Sequence, residues 1–416
     1  MTTHSTDVIV IGGGPAGIAA VCRLLASGQR VTWVDQAARP GGQIWRASLP
    51  PAWQPRLDAA SGSAALTHLP GHAVIAVESG TTLLLQDQLD PRRPALRVQA
   101  PRLLLALGAR ERFLPFPGWT LPGVHGAGGL QALVKNGWPV AGKRVVLAGS
   151  GPLLLAAADT ARAAGAKVLL IAEQASRAAL SRFALGLPAA KLAQAAALRW
   201  RLRGTAYRPD CRVTQAFGDG RLEALQLDDG RRIDCDMLGI GFGLQPNTGL
   251  ASALGCRIDN TTGAIAIDAQ QRTSQPAVWA AGECCGVGGV DKALAEGEIA
   301  ALQILGEGTP APLRRRHERA LAFAARLSGT FTLRPELLRP PEAGDTIVCR
   351  CEDVTIGALR AQPSWRDAKL QTRCGMGACQ GRICKPIVRD LFGWHDESPP
   401  REPLQPAPLR AFIARD

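Results

Sequence analysis

Residues 7–46 read DVIVIGGGPAGIAAVCRLLASGQRVTWVDQAARPGGQIWR, and this stretch decides the fold. Its first apolar run, Val8 to Ile11, ends at a glycine turn, as a buried parallel strand does. The turn is in G-x-G-x-x-G register, and its predicted nucleotide-contacting residues are Gly12, Gly14, Pro15, Ala16 and Gly17. The first glycine allows a tight turn, and the second lets backbone N–H groups approach a pyrophosphate. The third lets the next helix pack closely on the strand.

The residues after this turn complete the pattern. A helix is predicted over residues 18–27, with Gly28 at its end, and a second strand over Val31 to Val34. Asp35 stands at the tip of that strand, where a carboxylate accepts hydrogen bonds from an adenosine ribose. Strand, turn, helix, strand and terminal acid within about 30 residues predict a dinucleotide-binding fold far more strongly than the glycines alone.

Length and composition limit the possible architectures. A chain of 416 residues can form two or three domains with their own cores. The first residues, MTTHST, show no basic and apolar leader pattern, so no secretion signal is predicted. The longest apolar run, residues 145–158, is interrupted at Gly149 to Pro152 and is too short to span a bilayer. These features predict a cytoplasmic protein without a membrane span.

The charge pattern bears on partners. The formal net charge is +13, but no aromatic-interleaved basic helix or RNA-binding signature accompanies it. We therefore expect no nucleic-acid partner. A basic face for an acidic protein partner is the better interpretation of the charge.

The strand–turn–helix unit occurs a second time. A strand over residues 144–148 leads into a turn with Gly149 and Gly151, and Glu173 follows the next strand. Leu154 replaces the third glycine, which weakens close packing of helix on strand. An acid at Glu173 suits a ribose 2′-hydroxyl and would repel a 2′-phosphate, so a nicotinamide cofactor here would be NAD. A Rossmann-like domain that carries no catalytic nicotinamide is the alternative.

Three further motifs resemble flavin-contacting segments of flavoprotein reductases. The matching residues are Gly42 and Gln43 in a glycine-rich loop, Gly108 at the end of an apolar strand, and Gly282 and Glu283 at the end of another. Two positions depart from the resembled pattern, since Leu107 replaces the usual Thr and Glu283 the usual Asp. In that pattern the carboxylate at the position of Glu283 bonds the ribityl chain of the flavin.

The chain has 11 cysteines, and five of them lie between Cys349 and Cys384. Without an export signal, such crowding indicates a metal or cluster site rather than a disulfide framework. The spacing is C-x-C followed by C-x4-C, and four thiolates suit a 2Fe-2S cluster. Zinc is the alternative metal, although this is not its usual pair of C-x2–4-C knuckles. Cys374 is a fifth thiol, and spacing alone leaves Cys374-x4-Cys379 open as the second pair.

The cysteine segment carries the most specific resemblance. CRCEDVT and TRCGMGACQGRICKP resemble the bacterioferritin-associated-ferredoxin-like 2Fe-2S domain at the end of certain flavoproteins. These are the large flavin-fold subunits of opine oxidases, hydrogen cyanide synthase and D-hydroxyproline or L-proline dehydrogenases. The resemblance extends from Asp7 to about Phe392. It implies that the cluster ligands are Cys349, Cys351, Cys379 and Cys384.

The resulting fold class is α/β, with two Rossmann-like dinucleotide-binding domains, the second inserted in the first, and a small helical C-terminal 2Fe-2S domain. The predicted boundaries are 1–118 with 245–308 for the FAD-binding domain, 119–244 for the insert, 309–344 for a linker, 345–395 for the 2Fe-2S domain and 396–416 for a tail.

The resemblance also implies a function. The chain would be the FAD-fold, 2Fe-2S subunit of a heteromeric amino- or imino-acid dehydrogenase of the opine, hydroxyproline or glycine type. It would relay electrons from an amine-oxidase-like flavoprotein subunit to an acceptor, with a small ferredoxin-like subunit as a further partner. The chain would be cytoplasmic, with peripheral association with the inner membrane through its electron acceptor as the alternative. The small-molecule substrate would reach the flavoprotein partner. We identify no general base for C–N oxidation in this chain, and His125 is interpreted as structural.

Relatives implied by this resemblance carry FAD, another adenine nucleotide or NAD in the first site, so the nucleotide stays open at this point. Two other functions also stay open. One is a stand-alone NAD(P)H-dependent FAD and Fe–S reductase, and the other is a non-catalytic scaffold with a structural nucleotide.

Overall fold

The structure is a computed structural model that describes residues 3–46, 49–394 and 400–413. The chain forms two compact units. Unit 1 contains residues 1–110, 245–325 and 398–416, and unit 2 contains residues 111–244 and 326–397. This division into two units does not test the domain boundaries predicted above, which remain predictions.

The first 110 residues contain strands on either side of a glycine turn and two helices. The strands are β1 Thr3–Ser5, β2 Val8–Ile11, β3 Val31–Asp35, β4 Leu66–Pro70, β5 His72–Ser79, β6 Thr82–Asp87, β7 Leu96–Gln99, β8 Leu103–Leu105 and β9 Ala109–Glu111, the last of which ends in unit 2. The helices are α1 Pro15–Ala26 and α2 Gln54–Ser61. Helix α1 begins earlier than predicted because proline at the first helical position has a preset φ and needs no backbone partner.

The insert alternates strands and helices, then forms a three-stranded meander, and returns to its parallel sheet with its last strand. Its strands are β10 Val124–Gly126, β11 Arg144–Gly149, β12 Lys167–Glu173, β13 Ala206–Arg208, β14 Val213–Phe217, β15 Ala224–Leu227, β16 Arg232–Asp234 and β17 Met237–Gly241. Its helices are α3 Ala127–Lys135, α4 Leu153–Ala163, α5 Arg177–Leu185 and α6 Ala189–Arg201.

The remainder of the chain supplies the last elements of both units. The strands are β18 Leu244–Pro246, β19 Val278–Ala280, β20 Ile347–Cys349 and β21 Val354–Thr355, and 3-10 turns cover Glu283–Cys285 and Pro335–Leu338. The helices are α7 Gly249–Ala253, α8 Val290–Ile304, α9 Ala311–Thr330, α10 Ile356–Arg360, α11 Trp365–Thr372, α12 Cys384–Phe392 and α13 Arg410–Ile413. The predicted linker segment, 309–344, therefore contains the 20-residue helix α9.

Unit 1 is built on a five-stranded parallel sheet in the order β19-β8-β2-β3-β4. All four residues of β2 are buried, as a strand covered on both faces requires. A second sheet, β1-β7-β6-β5, is antiparallel except for its β1–β7 pair. Residues 400–413 of the predicted tail pack here, since Leu404 N–H donates to Ile75 O at 2.8 Å and Ala411 is buried with Ile75 and Leu84.

Unit 2 has its own five-stranded parallel sheet in the order β10-β17-β11-β12-β13. One hydrophobic core joins this sheet to the cysteine-rich segment, with Val146 and Leu238 in the same cluster as Trp365 and Ile387. The two parallel sheets and the short C-terminal helices confirm the predicted α/β class with two dinucleotide-binding folds. No helix of the described part of the chain is long and apolar enough to cross a bilayer.

An ion pair joins the starts of β11 and β17 and gives unit 2 a pH-dependent stability. Arg144 Nη2 lies 2.8 Å from Asp236 Oδ1, and this hydrogen-bonded pair lowers the pKa of Asp236 from 3.8 to about 2. The ion pair therefore stabilises the folded state above pH 3.8, and this contribution is lost as the pH falls toward about 2.

We expect the free energy of unfolding of Asp236→Asn to depend less steeply on pH in the acid range than that of the unsubstituted chain. The loss at neutral pH should be about 1 kcal/mol or less, because the pair is partly exposed and screened by solvent. Urea unfolding of both proteins from pH 7 to pH 3 measures the difference, and the exposed Asp219→Asn serves as the matched control. An unchanged pH dependence in Asp236→Asn would contradict the assignment.

Candidate dinucleotide sites and cysteine centre

The glycine turn of unit 1 has the close approaches that the sequence predicts. Gly12 has φ +114°, and a Cβ on Gly17 would lie 1.9 Å from Gly12 O, so only glycine allows α1 to begin here. Trp33 Nε1 donates to Gly12 O at 3.1 Å, and this hydrogen bond fixes the turn to strand β3. The indole in turn stacks on His68 of β4, with ring centroids 4.6 Å apart. Sequence reasoning missed both aromatic residues.

Asp35 presents an acceptor to the predicted ribose site. Its Oδ1 accepts from Ala37 N–H at 3.1 Å, whereas its Oδ2 is buried against the Gly13 backbone and makes no hydrogen bond of good geometry among the described residues. A Cβ on Gly13 would lie 1.9 Å from this oxygen, so the carboxylate lies against the turn. Burial raises the pKa of Asp35. A buried oxygen without a donor is costly, and a ribose hydroxyl is a donor that would satisfy it.

The predicted loop around Gly42 lies against the same turn. Gly41 N–H donates to Gly13 O at 2.7 Å, and a Cβ on Gly42 would lie 2.9 Å from Gly14 Cα. Both Gly41 and Gly42 have positive φ, which lets the two backbones approach. Gln43 is partnered locally, since its Oε1 accepts from Arg46 Nη2 at 2.9 Å.

Gly282 and Glu283 are held by the N-terminal half of α8. Gly282 has φ +88°, its N–H donates to Glu296 Oε2 at 2.8 Å, and its carbonyl accepts from Lys292 Nζ at 3.2 Å. Glu283 Oε1 accepts from Gly289 N–H at 2.9 Å, at the start of α8. Gly108, between the end of β8 and the start of β9, has φ +66°, and its carbonyl accepts from Asn247 N–H at 3.0 Å.

A buried charge network beneath Gly282 was not predicted. Lys292 Nζ lies 2.8 Å from Glu296 Oε2, both residues are under 5% exposed, and His317 Nε2 lies 3.2 Å from Glu296 Oε1. The only signal in the sequence is an acid four residues after a lysine in a mostly apolar helix. The network positions the Gly282 backbone from inside the unit.

We expect Asp35→Asn to weaken adenine-nucleotide binding by about 10- to 100-fold, because a charge-assisted hydrogen bond contributes about 1.5–3 kcal/mol. Equilibrium titration of nucleotide-free protein with FAD or ATP measures the dissociation constant. The exposed Asp58→Asn is the matched control and should bind as the unsubstituted chain does. Equal affinity for Asp35→Asn would remove Asp35 from the site.

The second glycine turn differs from the first in how its acid is used. Gly149 has φ +136°, and a Cβ there would lie 1.9 Å from Gly241 O. Glu173 is 1% exposed, and it accepts from Gly151 N–H at 2.8 Å and from Ala175 N–H at 2.9 Å. The longer side chain thus uses an N–H group of the turn itself. Burial raises the pKa of Glu173.

The chain's own residues 331–334 cover this second turn. Ser150 Oγ donates to Phe331 O at 3.3 Å, and Gln174 Nε2 donates to Thr332 O at 3.1 Å. Arg334 N–H donates to Gln174 Oε1 at 3.2 Å. The Phe331 ring would lie 3.9 Å from a Cβ on Gly151. We name residues 331–334 the strap, because they bond the turn where a pyrophosphate and ribose would lie in a dinucleotide complex.

The five C-terminal cysteines come together in unit 2. The thiol sulfurs of Cys349, Cys374 and Cys384 all lie within 4.8 Å of one another, and each residue is at most 1% exposed. The thiols of Cys351 and Cys379 hydrogen-bond to each other nearer the surface, where Cys351 is exposed. The structure therefore brings the four predicted ligands together and adds Cys374 to them.

This arrangement fits a thiolate-bound metal centre. The hydrogen bond with the Cys374 thiol, and then burial, raise the pKa of Cys384, while burial raises that of Cys349. Thiols crowded in this way gain most from a cation that takes up their charge on deprotonation. Three sulfurs this close also suit one tetrahedral ion, so iron and zinc both stay open on geometry alone.

His125, on β10, is half-buried. Burial, followed by the charge of Arg350, lowers its pKa.

Comparison with known proteins defines the class. The sequence model of the family described as "Pyridine nucleotide-disulphide oxidoreductase" matches residues 6–297. This chain belongs to that family and is an oxidoreductase. Membership implies a fold of the kind that binds FAD and NAD(P), and the chain has the two glycine turns of that fold, the second of them covered by the strap.

Individual relatives cover nearly the whole chain. This chain is 32% identical to the HcnB subunit of hydrogen cyanide synthase from Pseudomonas protegens, over 99% of this chain and 98% of the relative. It is 34% identical to an opine oxidase subunit from Rhizobium meliloti, over 92% of each chain. These matches confirm the predicted resemblance to hydrogen cyanide synthase and opine oxidase subunits, and the C-terminal 2Fe-2S domain stays a prediction.

Solved structures agree on the fold. L-proline dehydrogenase from P. horikoshii superposes with a TM-score of 0.71 and 18% identity, over 99% of this chain and 80% of the other. Thioredoxin reductase from T. acidophilum superposes with a TM-score of 0.57 and 23% identity, over 73% of this chain and 98% of the other.

Proposed function

We propose that this chain is the electron-relaying subunit of a heteromeric amino- or imino-acid dehydrogenase, of the opine, hydroxyproline or glycine type. Unit 1 binds FAD, or another adenine nucleotide in the same site, and the C-terminal cysteines of unit 2 bind a 2Fe-2S cluster. The observation that carries the proposal is the presence, on one polypeptide, of a nucleotide turn with an unsatisfied carboxylate oxygen and a five-thiol centre. The two relatives named above are themselves called subunits.

The residues of unit 1 divide the work of holding the nucleotide. The N–H groups at the start of α1 face the pyrophosphate position, where the positive end of the helix dipole favours phosphate. Asp35 accepts from the ribose, and the Gly41–Gly42 backbone closes the loop over Gly14. The Gly282–Glu283 turn is proposed to face the flavin side, held there by Lys292 and Glu296.

The cysteine segment supplies a place where electrons leave singly. A bound flavin accepts two electrons and releases one at a time, which is the chemistry needed between a hydride donor and an iron–sulfur centre. Cationic residues adjoin the cysteines in the sequence at Arg350, Arg373, Arg382 and Lys385. Such charges, with backbone donors, offset the negative charge of an all-thiolate cluster.

The strap argues against a stand-alone NAD(P)H-dependent reductase. A nicotinamide dinucleotide in the second fold would need the carboxylate of Glu173 and the N–H of Gly151, which already bond each other at 2.8 Å. It would also displace Phe331 and Thr332 from Ser150 and Gln174. We therefore propose that substrate electrons come from a separate flavoprotein partner, not from NADH at this site.

Co-purification with the products of neighbouring genes tests the proposal. We expect a complex with an amine-oxidase-like partner protein, together with flavin and iron–sulfur bands in the visible spectrum. Acid should release an adenine nucleotide from this chain. Substrate amino or imino acid should bleach the flavin, and NADH should not. Rapid bleaching by NADH alone would establish the reductase instead, and a colourless nucleotide without iron would establish the scaffold.

A further inference from the structure

The cysteine centre holds one thiol more than a 2Fe-2S cluster needs. Each iron of such a cluster takes two thiolates, so four suffice. The described chain offers an outer pair, Cys351 and Cys379, and an inner group of three, Cys349, Cys374 and Cys384. The division follows burial as well, since Cys351 is exposed whereas every member of the inner group is at most 1% exposed.

The inner group is compact enough for any two members to share one iron. With a metal–sulfur bond of about 2.3 Å, two ligands of a tetrahedral metal lie about 3.8 Å apart. The three sulfurs lie within 4.8 Å of one another, so each pair reaches that separation with a shift of about 1 Å or less, which a change of side-chain torsion supplies. Among the described residues, no third thiol lies within 4.8 Å of both members of the outer pair.

The backbone holds Cys374 in the inner group. Arg373 ends α11 in the left-handed conformation, with φ +63°, and this turns the chain inward. Gly375 follows with φ +82°, and a Cβ there would lie 2.6 Å from the Trp365 ring. Cys374 is 0% exposed between these two residues. Its sulfur therefore lies toward Cys349 and Cys384 because the local backbone places it there.

We infer that Cys374 is a reserve ligand of the cluster. Cys351 and Cys379 hold the outer iron, and any two of Cys349, Cys374 and Cys384 can hold the inner one. The inference rests on the proposed function, because it takes the bound group to be 2Fe-2S. If the inference holds, the cluster persists when one cysteine of the inner group is replaced, but it is lost when Cys351 or Cys379 is replaced.

A series of serine substitutions in the full-length chain, purified anaerobically, tests the inference. Iron and acid-labile sulfide per chain are measured, with the electron paramagnetic resonance spectrum of the reduced protein. Cys374→Ser and Cys384→Ser should each keep the cluster, the second with shifted g-values because Cys374 replaces Cys384. Cys379→Ser and the double variant Cys374→Ser/Cys384→Ser should each lose at least about tenfold in iron.

The controls separate folding, ligation and the proposed function. Cys211→Ser/Cys384→Ser also changes two buried cysteines of unit 2 and should keep its iron as Cys384→Ser does. Nucleotide bound to unit 1 and the circular dichroism spectrum report folding. If Cys384→Ser loses iron as completely as the double variant, or Cys374→Ser alone loses it, the inference is overturned while the cluster stands. If the unsubstituted chain contains zinc or no metal, the proposed cluster is wrong and the inference falls with it.

Discussion

Replacing Glu296 with alanine is expected to lower the free energy of unfolding by about 3–5 kcal/mol, because it leaves the Lys292 ammonium buried without a counter-charge. The pair is separated by 2.8 Å, and the Lys292 and Glu296 side chains are 5% and 2% exposed. The substitution also removes the acceptor of Gly282 N–H and the partner of His317. Urea unfolding followed by tryptophan fluorescence measures the loss, and release of the nucleotide bound to unit 1 should accompany it.

Two controls identify the cause. The double variant Lys292→Met/Glu296→Leu removes both charges together and should recover much of the lost stability, since no unpaired charge remains. Glu307→Ala breaks the exposed pair with Arg23 and should change stability by about 1 kcal/mol or less. If the double variant is as unstable as Glu296→Ala, packing and not the buried charge explains the loss.

Gly297→Ala is the second substitution expected to have a large effect. Gly297 lies on α8 where that helix crosses the first turn of α1, and a Cβ there would lie 2.1 Å from Ala16 O. Because the obstacle is backbone, the helices must separate, at a cost of about 1–3 kcal/mol or more. Ala16 belongs to the turn of the nucleotide site, so we expect nucleotide affinity to fall together with the melting temperature.

Gly249→Ala is the matched control for this substitution. Gly249 begins α7 in the same unit, and a Cβ there meets no atom within 4 Å. Alanine at this position should be neutral or stabilise by up to about 1 kcal/mol, because it restricts the unfolded chain. A Gly297→Ala protein that melts and binds nucleotide as the Gly249→Ala protein does would show that α1 and α8 can separate freely.

Local chemistry made the first nucleotide fold predictable. The strand β2, the turn at Gly12, the helix α1 and the position of Asp35 follow from residue spacing, because each feature is decided by residues a few positions apart. Residues 50–71 have no clear hydrophobic period in the sequence, so no element is predicted there, and the structure forms α2 and β4. Strand β4 lies at the edge of its sheet and is only half-buried, so its apolar alternation is weak.

Contacts between distant residues could not be predicted in the same way. The strap joins Phe331 and Thr332 to Ser150 and Gln174, more than 150 positions earlier in the chain. His317 reaches Glu296 from another helix. No period or motif marks such pairs, because the side chains are ordinary and only the folded path of the chain brings them together.

The order of the residues by itself determined that this protein has two glycine turns of the dinucleotide-binding type and a thiol-rich C-terminal segment. Glycine spacing and cysteine spacing act through local backbone geometry and ligand chemistry, which need no tertiary information. Only the tertiary structure decided that the acid of the first turn keeps one oxygen without a well-formed hydrogen bond in the described part of the chain, whereas the acid of the second is bonded under the strap. It also placed Cys374 beside Cys349 and Cys384, because burial and contact depend on the packing of segments that are far apart in the chain.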